Sequence, residues 1–233
     1  RLQAGQLIAH LAFDLRARRE RRHRVDHDHV DGARLHQQGG DFQRLLASVR
    51  RRQQQVVDLR RAIHRRPELG LDNPETQDRI VAALDGLGLD VRLGTGLSSV
   101  VATLRGGRPG RTILLRADTD ALPMTEDLEW TDRSEVAGRA HVCGHDAHVA
   151  MLVGAARMLA DRRDELAGSV RFIFQPGEEG SGGAAVMLDE GVLSDGLDEP
   201  VSAAFAIHIT PNLPVGYVGA RPGPLMASTD DFR

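Results

Sequence analysis

Apolar residues recur along this chain at two periods, and the switches between them predict alternating helices and strands. In "FQRLLASVRRRQQQVVDLRRAIHRRPEL" the spacing of Leu45, Val49, Val56, Leu59 and Ile63 is helical, and the pattern stops at Pro67. "NPETQDRIVAALDGLG" predicts a second helix, with Asn73 as N-cap, Pro74 in the first helical position, and Gly86 or Gly88 beyond its end. "SSVVATLRG" and "RTILLRAD" are β-branched apolar runs joined by "GGRPG", which predicts a strand pair. "HDAHVAMLVGAARMLADRRDEL" predicts a long helix whose apolar face carries Ala147, Met151, Ala155, Met158 and Leu159. "GSVRFIFQP" predicts a strand, "GGAAVMLDEGVL" a helix and "SAAFAIHIT" another strand. Such alternation implies an α/β fold: a mixed, largely parallel sheet covered by helices. In sheets of this kind the chemistry gathers at the carboxyl ends of the strands.

Residues 1–40 lack this periodicity. They hold five of the ten histidines and a basic run from Arg16 to Arg24. His27 and His29, with Asp26 and Asp28, have the chemistry of a metal site, but the plainer reading is a solvated, poorly ordered extension. The expected organisation is therefore an extension over 1–40 and a catalytic-domain portion over 41–233. Apolar content of 41% and charged content of 27% are ordinary for a globular chain. A net charge of −3 gives no bulk attraction to nucleic acid or to membrane, so neither is an expected partner. No apolar run reaches the roughly 18–20 residues of a membrane span, and "LIAHLAF" followed by "RARRERRHR" does not read as a signal peptide. A cytoplasmic location is the remaining default. The single cysteine excludes an internal disulfide.

That cysteine sits in "HVCGHDAH", residues 141–148. Cys143 and His145 are separated by one glycine, so an extended or turning backbone aims both to one side. Three further groups fall at or just past expected strand ends: Asp118 and Asp120 in "RADTDALP", Glu178 and Glu179 in "FQPGEEG", and His208 in "AIHIT". Each has a bland explanation alone, as a turn former, a solvated pair or a core histidine. The topology would bring all of them to one rim. A catalytic metal needs several deprotonatable ligands and an open coordination position, and this set offers both. Adjacent glutamates suit a division of labour, one binding metal and the other moving a proton. Asp146 or Asp120 could hold a ligand imidazole in the right tautomer. Other readings of Cys143 stay open at this level. A redox thiol lacks a partner cysteine. A nucleophilic thiol with a histidine base leaves the glutamates unexplained. A structural zinc site usually uses more cysteines.

From about residue 56 onward, "RRAIHRRPELG", "LLRADTDALP", "HVCGHDAHVAMLVGAA", "FQPGEEGSGGAAVML", "AIHITPNLPVG" and "RPGPLMAS" together resemble a known family. It is that of the metal-dependent amidohydrolases: hippurate hydrolase, N-acyl-amino-acid amidohydrolase and indoleacetyl-amino-acid hydrolase, within the carboxypeptidase-G/aminoacylase group. The resemblance implies a zinc-peptidase-like catalytic domain and hydrolysis of the amide bond of N-acyl amino acids or short peptides. It implies that Cys143, His145, Glu179 and His208 are metal ligands, and that Glu178 is the base that activates water. Asp120 would act from behind the ligands. The implied cofactors are two divalent ions per complete site, zinc or manganese, with cobalt or nickel also compatible with the ligands. Members of the family are longer, with a lid or dimerisation domain following the "MAS" stretch and a return that supplies another histidine. The expectation is therefore a truncated catalytic domain without its lid, with weak or absent activity of its own. The competing expectation is a non-catalytic metal-binding or interaction fragment derived from that family. A homo-oligomer is implied only for the full-length family.

Overall fold

A computed structural model describes residues 32–224. Residues 1–31, with the His27 and His29 cluster, and the "MAS" stretch lie outside the described residues. Helix α1 spans Gly32–His64, and so begins within the expected extension. It ends just before Pro67, as the ring of that residue requires.

Helix α2 spans Pro74–Leu84. Asn73 occupies its cap position, but the side chain does not cap. It donates instead to the carbonyls of Leu69 and Gly70 and accepts from Thr119. Glu68 takes over the capping, accepting from the N–H groups of Glu75 (3.1 Å) and Thr76 (2.7 Å).

The strands are β1 (Asp90–Leu93), β2 (Val100–Arg105), β3 (Arg108–Asp118), β4 (Ala167–Gln175) and β5 (Val201–Ala206). They form one sheet in the order β1-β2-β4-β3-β5. The pairings β1–β2 and β2–β4 are antiparallel, while β4–β3 and β3–β5 are parallel. The sheet is thus mixed. The expected pairing of β2 with β3 does not form, because β4 lies between them. The "GGRPG" link does not close a hairpin: the N–H groups of Gly106, Gly107 and Arg108 bond to carbonyls of Gly168, Arg163 and Leu166. The turn is spent on admitting the start of β4.

Helix α3 spans His145–Ala160, and helix α4 spans Gly183–Asp189. Side chains alternate along β4. Val170, Phe172 and Phe174 face one core with Ile63, Ile80 and Val153, so α1, α2 and α3 cover that side. Ile173 faces the other side, with Met187 of α4 and Leu114. The buried stripe of α3 is Val149, Leu152, Val153 and Ala156. The face expected from periodicity is the less buried one, and Met151 is exposed. Helix α3 is apolar almost all round and lies between α1 and the sheet, so its sequence does not single out one stripe.

Arg171 is the largest of the fully buried side chains. Burial, with Arg92 and Arg105 nearby, pulls its pKa down, and among the described residues no carboxylate accepts a hydrogen bond from it. It donates to the carbonyls of Val192 and Asp195 and to Thr103 Oγ1, tying the segment after α4 to the sheet. Arg171→Met is expected to lower the unfolding free energy by about 2 kcal/mol, the scale of hydrogen bonds from a charged donor. Urea denaturation checks this, and an unchanged midpoint would show that the bonds add nothing.

Candidate metal centre

Because β3, β4 and β5 run parallel, their carboxyl ends share one edge of the sheet. Asp118 ends β3 and Asp120 follows it. Glu178 and Glu179 follow β4, and His208 lies two residues past β5. The start of α3 adds Cys143 and His145. Gly144 makes this approach possible. Its φ is +89°, and a Cβ there would lie 2.3 Å from Ile209 Cδ1. The segment after β5 can therefore pass directly over the helix start.

The three histidines of the cluster are held differently. His145 is fully buried, and its Nδ1 donates to the backbone carbonyl of Asp120 (2.7 Å). That fixes the tautomer and leaves a lone pair on Nε2. Among the described residues this buried Nε2 has no hydrogen-bond partner. It lies 3.6 Å from Asp118 Oδ2 and 3.8 Å from both Glu178 Oε2 and Glu179 Oε1. His208 Nδ1 donates to the carbonyl of Ile209 (2.5 Å), and its Nε2 lies 3.4 Å from Cys143 Sγ. His148 is different, because both of its nitrogens are taken. Nε2 accepts from the Ile209 N–H (3.0 Å), so Nδ1 is the donor to Asp118 Oδ1 (2.6 Å). Asp118, His145 and His148 are close enough for a metal site, but His148 has no lone pair left to give. The sets that keep free donors are Cys143, His145 and His208, and His145, Glu178 and Glu179. They share His145.

The carboxylates are aimed by the backbone. Asp120 accepts the N–H of Glu178 on Oδ1 and that of Glu179 on Oδ2, both at 3.0 Å. Its Oδ1 also lies 3.6 Å from His145 Nδ1. Burial alone would raise the pKa of Asp120, but His145 and the two N–H donors hold it below the ordinary value. Burial would also raise that of Asp118, yet the His148 hydrogen bond and the charges of Arg116 and His145 hold it well below the usual carboxylate range. Glu178 moves the other way, raised by burial and by the like charge of Glu179. The Cys143 thiol is pushed up to about 12 by burial, then by Glu179, Glu178 and Asp118. Such a thiol is protonated at neutral pH and is no nucleophile. A cation in the cluster would favour the thiolate.

The donor set therefore fits a divalent metal: a thiol surrounded by carboxylates, and two imidazoles with their Nε2 lone pairs turned inward. Asp146 does not take the role offered to it from sequence. Its carboxylate faces away from the cluster, toward His64 Nδ1 (2.8 Å) and Arg60 Nε (2.9 Å), and Asp120 is the aspartate beside His145. Arg60 and His64 lie in the stretch "RRAIHRRPELG", but nothing local to it or to Glu126 pointed to this arrangement. They come from segments far apart in sequence, so only the fold brings them together. His141 is buried with both nitrogens unpartnered among the described residues, and burial holds its pKa down to about 4.

Residues 114–230 match the profile of Peptidase family M20/M25/M40, just over half of the chain, and the chain belongs to that family. Among its curated relatives, "Thermostable carboxypeptidase 1" of Saccharolobus solfataricus is 41% identical over 194 residues, covering 82% of this chain and 48% of that protein. "N-acetylcysteine deacetylase" of Bacillus subtilis is 43% identical, covering 76% of this chain and 46% of that protein. "IAA-amino acid hydrolase ILR1-like 4" of Arabidopsis thaliana is 42% identical, covering 76% and 39%. A solved structure from Bacillus subtilis, the YXEP protein, described as a dinuclear metal binding peptidase from the M20 family, superposes with a TM-score of 0.70. It is 41% identical, and the match covers 74% of this chain and 47% of that one. The chain thus spans about half the length of the relatives it matches. No helix among the described residues is long and apolar enough to cross a membrane.

Proposed function

We propose that this chain carries the metal centre of an amidohydrolase that cuts the amide bond of N-acyl amino acids. The observation that carries the reading is the convergence of Cys143, His208, Glu178 and Glu179 on the buried, unpartnered Nε2 of His145. Cys143, His145, Glu179 and His208 would hold the metal, as two divalent ions in a complete site. Zinc suits the thiolate and imidazoles, and manganese, cobalt or nickel remain compatible. When bound, the ions supply positive charge that polarises the scissile carbonyl and acidifies water.

The chain's own residues divide the remaining work. Glu179 is the less exposed glutamate (25% against 42%) and contacts the Cys143 thiol, which suits a ligand. Glu178 is the more open, with a raised pKa, which suits a group that takes a proton from water and returns it to the leaving nitrogen. Asp120 holds both at a fixed angle. Two of the relatives, an N-acetylcysteine deacetylase and an IAA-amino acid hydrolase, support a small N-acyl amino acid as the substrate class. An unpaired thiol ligand suits the reducing cytoplasm.

A second reading, a metal-binding unit with no turnover of its own, is favoured by the open side of the site. Among the described residues, His208 is exposed, and so are Val215, Tyr217 and Val218 beyond β5. Metal content separates these readings from a site that binds nothing. The purified chain is expected to hold stoichiometric divalent metal by elemental analysis, and Cys143→Ala is expected to hold at least about tenfold less after dialysis. Equal metal in both samples would remove Cys143 from the centre. Hydrolysis of an N-acyl amino acid by the metal-loaded chain would then decide between enzyme and non-catalytic unit.

A further inference from the structure

Helix α3 starts directly after the two donors Cys143 and His145, yet its start lacks the usual anchor. Its cap position is Gly144, and among the described residues no side chain caps it. What holds the first turn is Asp146, whose side chain is fully buried. A buried carboxylate costs several kcal/mol unless it is paired and hydrogen-bonded. Its Oδ2 finds both partners at the end of α1, Arg60 Nε at 2.9 Å and His64 Nδ1 at 2.8 Å, while among the described residues its Oδ1 has no hydrogen-bond partner. The other nitrogen of His64 lies 3.3 Å from Glu126 Oε1. Glu126 is itself held by Trp130 Nε1 (2.5 Å) and by the N–H of Ser134 (2.8 Å). Trp130 packs against the edge of His64, with its ring centroid 5.1 Å away, and Arg60 lies over the same ring.

We propose that the Glu126–His64–Asp146 chain positions the metal-binding loop by locking the first turn of α3, from behind, to α1 and to the segment after β3. This inference rests on the metal-centre reading above and deepens it. Asp120 holds His145 from the front, through its carbonyl and carboxylate. Asp146, the next residue along α3, holds the same turn from the opposite side. With both in place, the direction of His145 Nε2 is set before any ion arrives. His64, Asp146 and Glu126 touch no donor atom of the cluster, so they are positioning residues. Asp132 provides an internal control. It also ties the segment after β3 to the end of α1, through Arg61 (2.9 Å) and Arg65, but it does not reach α3.

The test is cobalt(II) titration of the metal-stripped full chain, followed by the thiolate-to-cobalt absorption band. Thermal unfolding of each metal-free variant is recorded in parallel. His64→Leu and Asp146→Asn are expected to lower cobalt affinity about 10- to 100-fold and to alter the band. His64→Asn, which retains a donor near the position of Nδ1, should recover much of the loss. Asp132→Asn should lower the unfolding temperature while leaving affinity and band unchanged. The proposal is overturned if the His64 and Asp146 variants bind cobalt like the unmodified chain, or if Asp132→Asn weakens binding as much as they do. Failure of the unmodified chain to bind cobalt through Cys143 would overturn the metal-centre reading itself, and the positioning role with it.

Discussion

Glu178→Gln is expected to lower whatever kcat the metal-loaded chain shows toward an N-acyl amino acid by about 10²- to 10⁴-fold, the range for loss of a positioned acid–base group. Metal content and thermal stability should stay where they are. The substitution keeps the shape of the side chain and its backbone bond to Asp120. It removes only the ability to take up and return a proton. The comparison with Glu179 sharpens the test. Glu179 is the more buried and contacts Cys143, so Glu179→Gln should lose metal as well as turnover. If Glu178→Gln keeps full activity, the base lies elsewhere. If it loses metal too, the two glutamates have exchanged roles. Removal of metal with a chelator should abolish turnover of the unmodified chain. Activity that survived the chelator and vanished on thiol alkylation would revive a cysteine nucleophile, which the raised pKa of Cys143 argues against.

The rim could be read from sequence because it depends on where strands end. Runs such as "RTILLRAD" and "VRFIFQP" are apolar until the sheet stops, and their polar endings mark the edge. Parallel β3, β4 and β5 then put those endings side by side. Strand order was not legible. The link "GGRPG" has the composition of a hairpin turn, and only the distant partner β4 decides that β2 and β3 stay apart. Nor was the orientation of α3, because a helix covered on two sides carries no single apolar stripe. The same limit explains the aspartates. Asp120 and Asp146 have similar claims in the sequence, each close to His145 or the strand end. Which of them faces the cluster depends on His64 and Arg60, which lie more than eighty positions from Asp146 along the chain.

Asp120 is the residue on which the two halves of the site meet, and Asp120→Asn is the second substitution with a large expected effect. Each carboxylate oxygen accepts one backbone N–H, from Glu178 and from Glu179, and the side chain is fully buried. An asparagine has one acceptor oxygen and one donor nitrogen, so whichever way it turns, an N–H faces an NH₂ group. One charge-assisted bond is lost, and a buried donor is left without an acceptor, which together cost about 3 kcal/mol. The loss of negative charge beside His145 Nδ1 also weakens the imidazole as a ligand. Metal affinity should therefore fall about 10- to 100-fold beyond the loss of stability. Denaturant unfolding of the metal-free chain measures the first effect, and metal titration of the folded variant measures the second. A variant with wild-type stability and affinity would show that the turn after β4 aims the glutamates unaided. A loss of stability with normal affinity would make Asp120 a fold residue only. Loss of both is the expected result, because the same carboxylate closes the turn that presents Glu178 and Glu179 and faces the imidazole they surround.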